Sequence, residues 1–328
     1  MIKLSIIVPV YNVEKYIRPC FESIFNQGLN DDEYEVIIVN DGTKDRSMEM
    51  IEDIISQHNN ITIINQDNQG LSVARNNGIA IAKGEYILMP DSDDLLIYNS
   101  LPKLLEVAIN SRADLIVADF LITNDEITNQ SKELYLQQKT FKYEEKNGEQ
   151  LFLEDLNPHQ CYVWRTLFRK EFLIENHLRF VPGIYIQDVP FTHECYIKAK
   201  KCIKTSWLLN IYRKGHESAT FCFNLRKEKD FCTAIAKTWE LTNIQGLSSA
   251  VQKKLRDDVY TSFSVMMCSC SHAIKIASER KEIIDHLIQM APNLYFRNGI
   301  KQKIVSLLFQ IMPHTYIHTR YYFAFTNL

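Results

Sequence analysis

Four short apolar runs, each followed by a stretch of different periodicity, govern what the first 100 residues can fold into. Leu4 to Val8, Glu35 to Val39, Ile61 to Ile64 and Glu85 to Met89 are largely β-branched or aliphatic, without alternation. That pattern marks strands buried on both faces. Between them, Ile17, Phe21, Ile24 and Phe25 recur at helical spacing, followed by Ile51, Ile54 and Ile55, then by a segment around Ala74 to Gly78. Strand and helix in alternation predict an α/β fold with a mostly parallel sheet and right-handed crossovers.

Each run ends in polar residues. Pro9 cannot donate to a ladder, so it is expected to end the first strand and to present Tyr11 and Asn12 at the sheet edge. The second strand delivers Asp41, the third Asp67, and the fourth Asp91, Ser92, Asp93 and Asp94. Parallel strands expose their carboxyl ends on one edge, so these groups are predicted to converge although they are distant in sequence. Three acids within four residues repel one another unless a cation or a donor-rich ligand offsets the cost. The cluster reads as a site for a divalent metal and a nucleotide.

At 328 residues the chain exceeds the usual single domain, so one domain plus an attached region is expected. A formal net charge of -3 gives no reason to expect a nucleic-acid partner. Of the eight cysteines only Cys268 and Cys270 are close, and no Cys-x-x-Cys pair points to zinc, so reduced and mostly buried thiols are expected. The N-terminal apolar run is too short for a signal peptide, and no stretch of 18 apolar residues occurs. On that basis the catalytic part is expected to face the cytoplasm.

Beyond the acids, Leu101, Leu104, Leu105, Ala108 and Ile109 predict an amphipathic helix, and Ala113 to Ala118 a further strand. Residues 124 to 150 are polar, with a strand expected from Glu133 to Tyr143. Asp188 precedes a helix expected from about Pro190 to Lys200, where a helix cap is its bland alternative reading. Ile203 to Tyr212 reads as a strand and Arg213 to Thr220 as a polar loop. From about Arg226 the pattern is helical throughout. No acid follows Asp285, and Ile304, Leu307, Leu308 and Ile311 share a helix face near Arg297, Lys301 and Lys303. This basic amphipathic tail either lies on an anionic membrane surface or covers the main domain. Tyr316, Tyr321, Tyr322, Phe323 and Phe325 are either packing residues or anchors of an interface, a homodimer included.

Several chemistries could use such acids. An EF-hand fails, since its sixth position is Leu96 rather than Gly and its twelfth is Pro102 rather than Glu. No Gly-x-Gly-x-x-Gly or nucleotide-binding P-loop follows the first strand. An aspartyl phosphatase resembles Asp91-Ser92-Asp93 but places its pair on the first strand. A nucleotidyltransferase that makes activated sugars would need a Gly-rich basic loop there. The best fit is Mn2+ or Mg2+ bridging the two phosphates of a nucleotide sugar, acting as a Lewis acid on the leaving diphosphate. In that reading Asp93 ligates the metal and Asp91 is a second ligand or an acceptor for ribose hydroxyls. Tyr11 stacks on the base, Asp41 accepts from a ring N–H, and Arg75 reaches the phosphates or forms a structural ion pair.

Pro9-Val10-Tyr11-Asn12, Asn40-Asp41-Gly42-Thr43, Asn68 to Asn76 and Asp91-Ser92-Asp93-Asp94, in this order and at these separations, resemble the family 2 glycosyltransferases. The resemblance implies the GT-A fold, a three-layer α/β/α arrangement, followed here by a C-terminal helical region. It divides the chain into a catalytic domain at 1–222, with a nucleotide-sugar half at 1–98 and an acceptor half at 99–222, and helices at 223–328. It further implies a catalytic base from a Glu-Asp pair, which here reads Gln187-Asp188, so Asp188 takes the role and Gln187 replaces its usual neighbour. A loop near the diphosphate is implied at Tyr212 to Ser218, with Arg213, His216 or Ser218 as contacts. Members of this kind invert the sugar's anomeric centre, are expected to use UDP-sugars, and build capsule, exopolysaccharide or lipopolysaccharide on saccharide acceptors that include lipid-linked ones. A nucleotide-sugar-binding scaffold without turnover is the alternative from a different class.

Overall fold

The computed structural model describes residues 1–123, 130–138, 140–214 and 224–317, and divides the chain into two compact units. The first comprises Met1–Leu151, Tyr162–Pro182 and Cys195–His216. Its sheet has nine strands among the described residues. They are β1 (Leu4–Val10), β2 (Tyr34–Asn40), β3 (Ile61–Asn65), β4 (Tyr86–Leu88), β5 (Leu95–Leu96), β6 (Leu115–Thr123), β7 (Tyr143–Lys146), β8 (Thr166–Arg169) and β9 (Cys202–Arg213). Their spatial order is β3-β2-β1-β4-β8-β6-β9-β5, with β7 paired to β9.

The half built from the opening runs, β3-β2-β1-β4, is wholly parallel. The later half is mixed: β8 runs antiparallel to β4 and β6, and β5 and β7 antiparallel to β9, while β6 and β9 are parallel. Helices cover both faces of the parallel half. Leu4, Ile6, Val8 and Val10 of β1 share a core with α1 (Ile17–Phe25), with Ile54 of α2 (Glu52–Gln57) and with α4 (Leu101–Ser111). The alternate residue Ile7 faces α3 (Leu71–Ile81), where a Cβ on Gly78 would lie 2.3 Å from Ile7 Cγ2. Only a glycine lets this helix approach the sheet so closely. Val36, Ile37, Ile38 and Val39 are fully buried, each contributing about 1.5–3 kcal/mol of transfer free energy.

Two expectations are corrected. Pro9 does not end β1, which continues through Val10. Leu4 N donates to Glu33 O and Val10 O accepts from Asp41 N, so the even residues of β1 bond towards β2. Pro9 faces the other side, where pairing with β4 has stopped at Ile6, and its missing N–H costs nothing there. The stretch expected as a strand from Glu133 begins instead as α5 (Gln130–Gln137). The partly buried residues Ser131, Leu134, Tyr135 and Gln138 are spaced for a helix, while Leu136, which mimicked strand alternation, is exposed.

The second unit comprises Phe152–Cys161, Gly183–Glu194 and Glu217–Leu328. The unit boundaries fall within α6 (Gly148–Glu154) and α8 (Asp188–Lys198), and α7 (Lys170–Glu175) belongs to the first unit. α9 (Leu225–Glu240), α10 (Ser249–Ala273), α11 (Ala277–Met290) and α12 (Ile300–Ile311) pack Ile235, Phe263, Met266, Ile283, Leu287 and Phe309 into a second core. Asn224 and Ser248 cap α9 and α10 by accepting from Lys227 N and Val251 N. Six of the seven described cysteines are buried, and none is bridged. No described helix is long and apolar enough to cross a membrane.

Candidate active site

The carboxyl ends of β1, β2, β3 and β4 lie on one edge, and hydrogen bonds lace the loops that leave them. Asn12, just past β1, adopts φ 54°, a left-handed conformation that asparagine tolerates. Its N–H donates to Thr43 Oγ1 at 2.8 Å and its Oδ1 accepts from Lys44 N at 3.1 Å, tying the first loop to the second. Tyr11 beside it is 41% exposed.

Asp41 is buried, and three donors converge on it. Oδ1 accepts from Gln66 Nε2 at 2.7 Å and Gln69 N at 2.9 Å, while Oδ2 accepts from Gly70 N at 2.9 Å. The end of β2 thus dictates the turn into α3. Gly70, at φ 86°, supplies the backbone that lets the helix begin there. Asp67 lies exposed on the same turn.

α3 carries Arg75 inward. The side chain is fully buried, its Nη2 donates to Asp91 Oδ1 at 2.6 Å, and its guanidinium lies 5.3 Å from the Phe180 ring centre. Arg75 and Asp91 thus form an ion pair. Asp91, Asp93 and Asp94 each bring a carboxylate oxygen within 4.8 Å of the others, with Ser92 buried among them. Asp94 is 1% exposed, and its Oδ1 accepts from Arg213 N at 2.8 Å. Its Oδ2 is buried and has no hydrogen-bond partner. Burial first, then the charges of Asp93 and Asp91, push the Asp94 carboxyl well above the usual range. The same acids, after burial, raise the Cys20 thiol, whose Sγ lies 3.6 Å from Asp91 O.

Arg213 closes the cluster from β9. Nε donates to Asp93 O at 3.1 Å, and the guanidinium lies 5.0 Å from the Tyr16 ring centre. Its neighbour Tyr212 is half-buried against Tyr162 and Trp164, which stack at 4.8 Å. Burial and then Tyr162, followed by Asp94, Asp91 and Asp93, push the Tyr212 phenol up to about 12. Trp164 is 2% exposed, so it packs rather than presenting a face. The sequence analysis assigned the metal to Asp93 and Asp91 and gave Asp94 no role of its own. The structure makes Asp94 the most buried of the three acids. It also adds Tyr162, which the sequence analysis did not single out, beside Tyr212, the first residue of the loop expected near the diphosphate.

Asp188 opens α8 in the second unit and is half-buried. Gln187, almost fully buried, donates from Nε2 to Asp188 Oδ1, so glutamine here acts as a donor to the acid. His216 and Ser218 lie outside the described residues.

The buried, unpartnered oxygen of Asp94 and the all-carboxylate donor set fit a hard divalent cation. A three-layer α/β domain with acids gathered at its carboxyl edge defines the class: a GT-A-like fold of the nucleotide-sugar transferases. The family follows from the sequence match. The chain belongs to glycosyl transferase family 2, whose model matches residues 5–175.

Among its relatives, the uncharacterized glycosyltransferase EpsJ of Bacillus subtilis is 36% identical over 66% of this chain, which spans only 62% of EpsJ. Glycosyltransferase GlyG of Streptococcus pneumoniae is 28% identical over 76% of this chain and 83% of its own length. In fold, the chain is similar to S. aureus TarS 1-349, solved in complex with UDP-GlcNAc, with a TM-score of 0.72. That match is 19% identical and covers 97% of this chain and 88% of TarS 1-349.

Proposed function

We propose that the chain is an inverting glycosyltransferase that moves a sugar from a nucleotide diphosphate to a hydroxyl of a glycan or lipid-linked saccharide during surface-polysaccharide synthesis. The observation that carries this reading is the acid cluster at the sheet's carboxyl edge, with one buried carboxylate oxygen left unsatisfied. UDP is the favoured nucleotide, because the TarS fold neighbour was solved with UDP and with UDP-GlcNAc. A mannosyltransferase from Pyrobaculum calidifontis, solved with GDP-Man and Mn2+, shares the fold at a TM-score of 0.56 and 12% identity. It supports a metal-dependent reading at greater distance.

In this proposal Asp93, Asp91 and Asp94 hold Mn2+ or Mg2+, which when bound neutralises charge on the leaving diphosphate. Arg75 keeps Asp91 oriented, and Arg213 steadies the Asp93–Asp94 backbone. Tyr11 stacks on the base, the Asp41-ordered turn receives it, and Asp67, Ser92, His216 and Ser218 complete the nucleotide contacts. Asp188 accepts the proton of the acceptor hydroxyl as that oxygen attacks the anomeric carbon from the face opposite the diphosphate. The transition state resembles an oxocarbenium ion. An aspartate is a weak base, so it needs to accept the proton only as the new bond forms. Residues 1–98 form the nucleotide-sugar half and 99–222 the acceptor half, with 223–328 attached as helices.

The test is sugar transfer and UDP release across a panel of UDP-sugars with Mn2+. Asp188→Asn should lower the rate by about 10²–10⁴-fold while UDP binding persists. Binding of a UDP-sugar with no turnover on any acceptor, water included, would instead favour the non-catalytic scaffold.

A further inference from the structure

The second unit holds a chain of hydrogen-bonded polar groups, two of them buried, that the proposed reaction does not itself use. His193, on α8, is fully buried. Its Nδ1 lies 2.7 Å from the carbonyl oxygen of Val189, in the first turn of the same helix, and its Nε2 lies 3.3 Å from Oδ2 of Asp258 on α10. Lys254, one turn earlier on α10, donates to both Asp258 oxygens at 3.1 and 2.9 Å. The ring therefore lies between a backbone carbonyl oxygen and a carboxylate oxygen, one beside each of its nitrogens. A core histidine held only for packing would need no charged partner on another helix. Buried ion networks seldom add net stability over well-packed apolar groups, so their presence points to placement.

The surroundings exclude a nucleophilic reading. Cys161 Sγ lies 3.8 Å from His193 Nδ1, so cysteine, histidine and aspartate superficially resemble a hydrolytic triad. Yet burial first, then the charges of Asp188 and Asp258, drive the Cys161 thiol far above the ordinary range, which leaves no thiolate to attack. Val189, whose carbonyl oxygen lies 2.7 Å from His193 Nδ1, directly follows Asp188 in the chain. Phe152 closes the group, its ring centre 5.8 Å from the His193 ring and 5.1 Å from Lys254 Nζ.

The geometry points to His193 as a positioning residue for Asp188: with Asp258 and Lys254 it anchors the first turn of α8 to α10, so the C-terminal helices set where the base carboxylate stands. The inference rests on the reading of Asp188 as the base. Helix first turns are the least constrained part of a helix, because their N–H groups lack intrahelical acceptors. A base displaced by about 1 Å can lose about 100-fold in rate.

The experiment uses the full chain and measures UDP release from UDP-N-acetylglucosamine and from UDP-glucose, with Mn2+ and with water as acceptor. His193→Asn, which keeps a donor near Val189 but cuts the link to Asp258, should lower kcat by about 10–100-fold. KM for the UDP-sugar should stay within about twofold of wild type, because a positioning residue acts on chemistry and not on donor binding. Asp258→Leu should lower kcat likewise, and Asp258→Asn, which preserves an oxygen acceptor for the ring, should recover most of it. If His193→Asn does not fold, the Asp258 pair gives the same reading from the α10 side.

Wild-type kcat in both His193→Asn and Asp258→Leu overturns the inference. So does a rise in KM matching the loss of rate, or an equal loss in Asp258→Asn and Asp258→Leu. Asp188→Asn at full rate, or wild type that releases no UDP, defeats the base reading itself. Inactive Asp188→Asn beside fully active His193→Asn defeats only the positioning role.

Discussion

Asp41 shows how much one side chain organises at this site. Its carboxylate accepts from Gln66, Gln69 and Gly70, and so folds the turn between β3 and α3. Asn in its place offers one acceptor oxygen and turns an NH2 towards a donor. Asp41→Asn is therefore expected to cost about 1–3 kcal/mol in urea unfolding. It should also weaken UDP binding, measured by titration, because the turn it orders belongs to the proposed nucleotide site. Unchanged stability would mean that the turn holds itself. Asp94 teaches the complementary lesson. In sequence it is one more acid beside Asp93; in the structure it is the acid whose second oxygen finds no partner. Neither burial nor an unsatisfied lone pair can be read from residue type, so its importance was legible only after folding.

At the scale of elements, the parallel half of the sheet was readable because strands buried on both faces are written as unbroken apolar runs. The mixed half was not. β5 is two residues long, too short to leave a periodic signal, and α5 places Leu134 and Leu136 at strand-like alternation although Leu136 is exposed and Leu134 and Tyr135 are both partly buried. Pro9 was read as a strand end because sequence does not say which side of a ladder a residue faces. Two element contacts make firm predictions. Gly78→Val puts side-chain atoms where Ile7 already stands, and thermal unfolding should show a loss of about 1–3 kcal/mol or more.

Glu228 of α9 is buried against Ser269 of α10, and burial raises its carboxyl from the 4.5 of an ordinary glutamate to about 7, despite the hydroxyl's hydrogen bond. The folded state holds this proton more tightly than the unfolded chain. Its contribution is fully present below about pH 4.5 and falls by about 1.4 kcal/mol per pH unit until about pH 7. Glu228→Gln keeps a neutral group that can still accept from Ser269. Its melting temperature relative to wild type should rise between pH 5 and pH 8, and a pH-independent difference would contradict the assignment.

At the scale of the whole molecule, the acid cluster belongs to the sheet-bearing unit and the C-terminal helices to the second unit. The helical unit also bears a feature the reaction does not need. Ile300, Ile304, Leu307 and Ile311 are 80%, 52%, 54% and 66% exposed along α12, with Lys301 and Lys303 exposed beside them. An apolar stripe flanked by lysines suits an anionic lipid surface, which would bring the enzyme to lipid-linked acceptors. Sedimentation with phosphatidylglycerol vesicles should recover the protein at low salt and lose it for Lys301→Glu with Lys303→Glu. Equal recovery with neutral phosphatidylcholine vesicles would contradict the electrostatic part.

The central claim is that Asp91, Asp93 and Asp94 form a metal-assisted nucleotide-sugar site. Calorimetry of UDP and a panel of UDP-sugars, with and without Mn2+, on wild type and Asp93→Ala tests it most directly. Binding that requires Mn2+ and disappears in Asp93→Ala is the predicted result. Tight binding without metal, unchanged by the loss of Asp93, would contradict the claim.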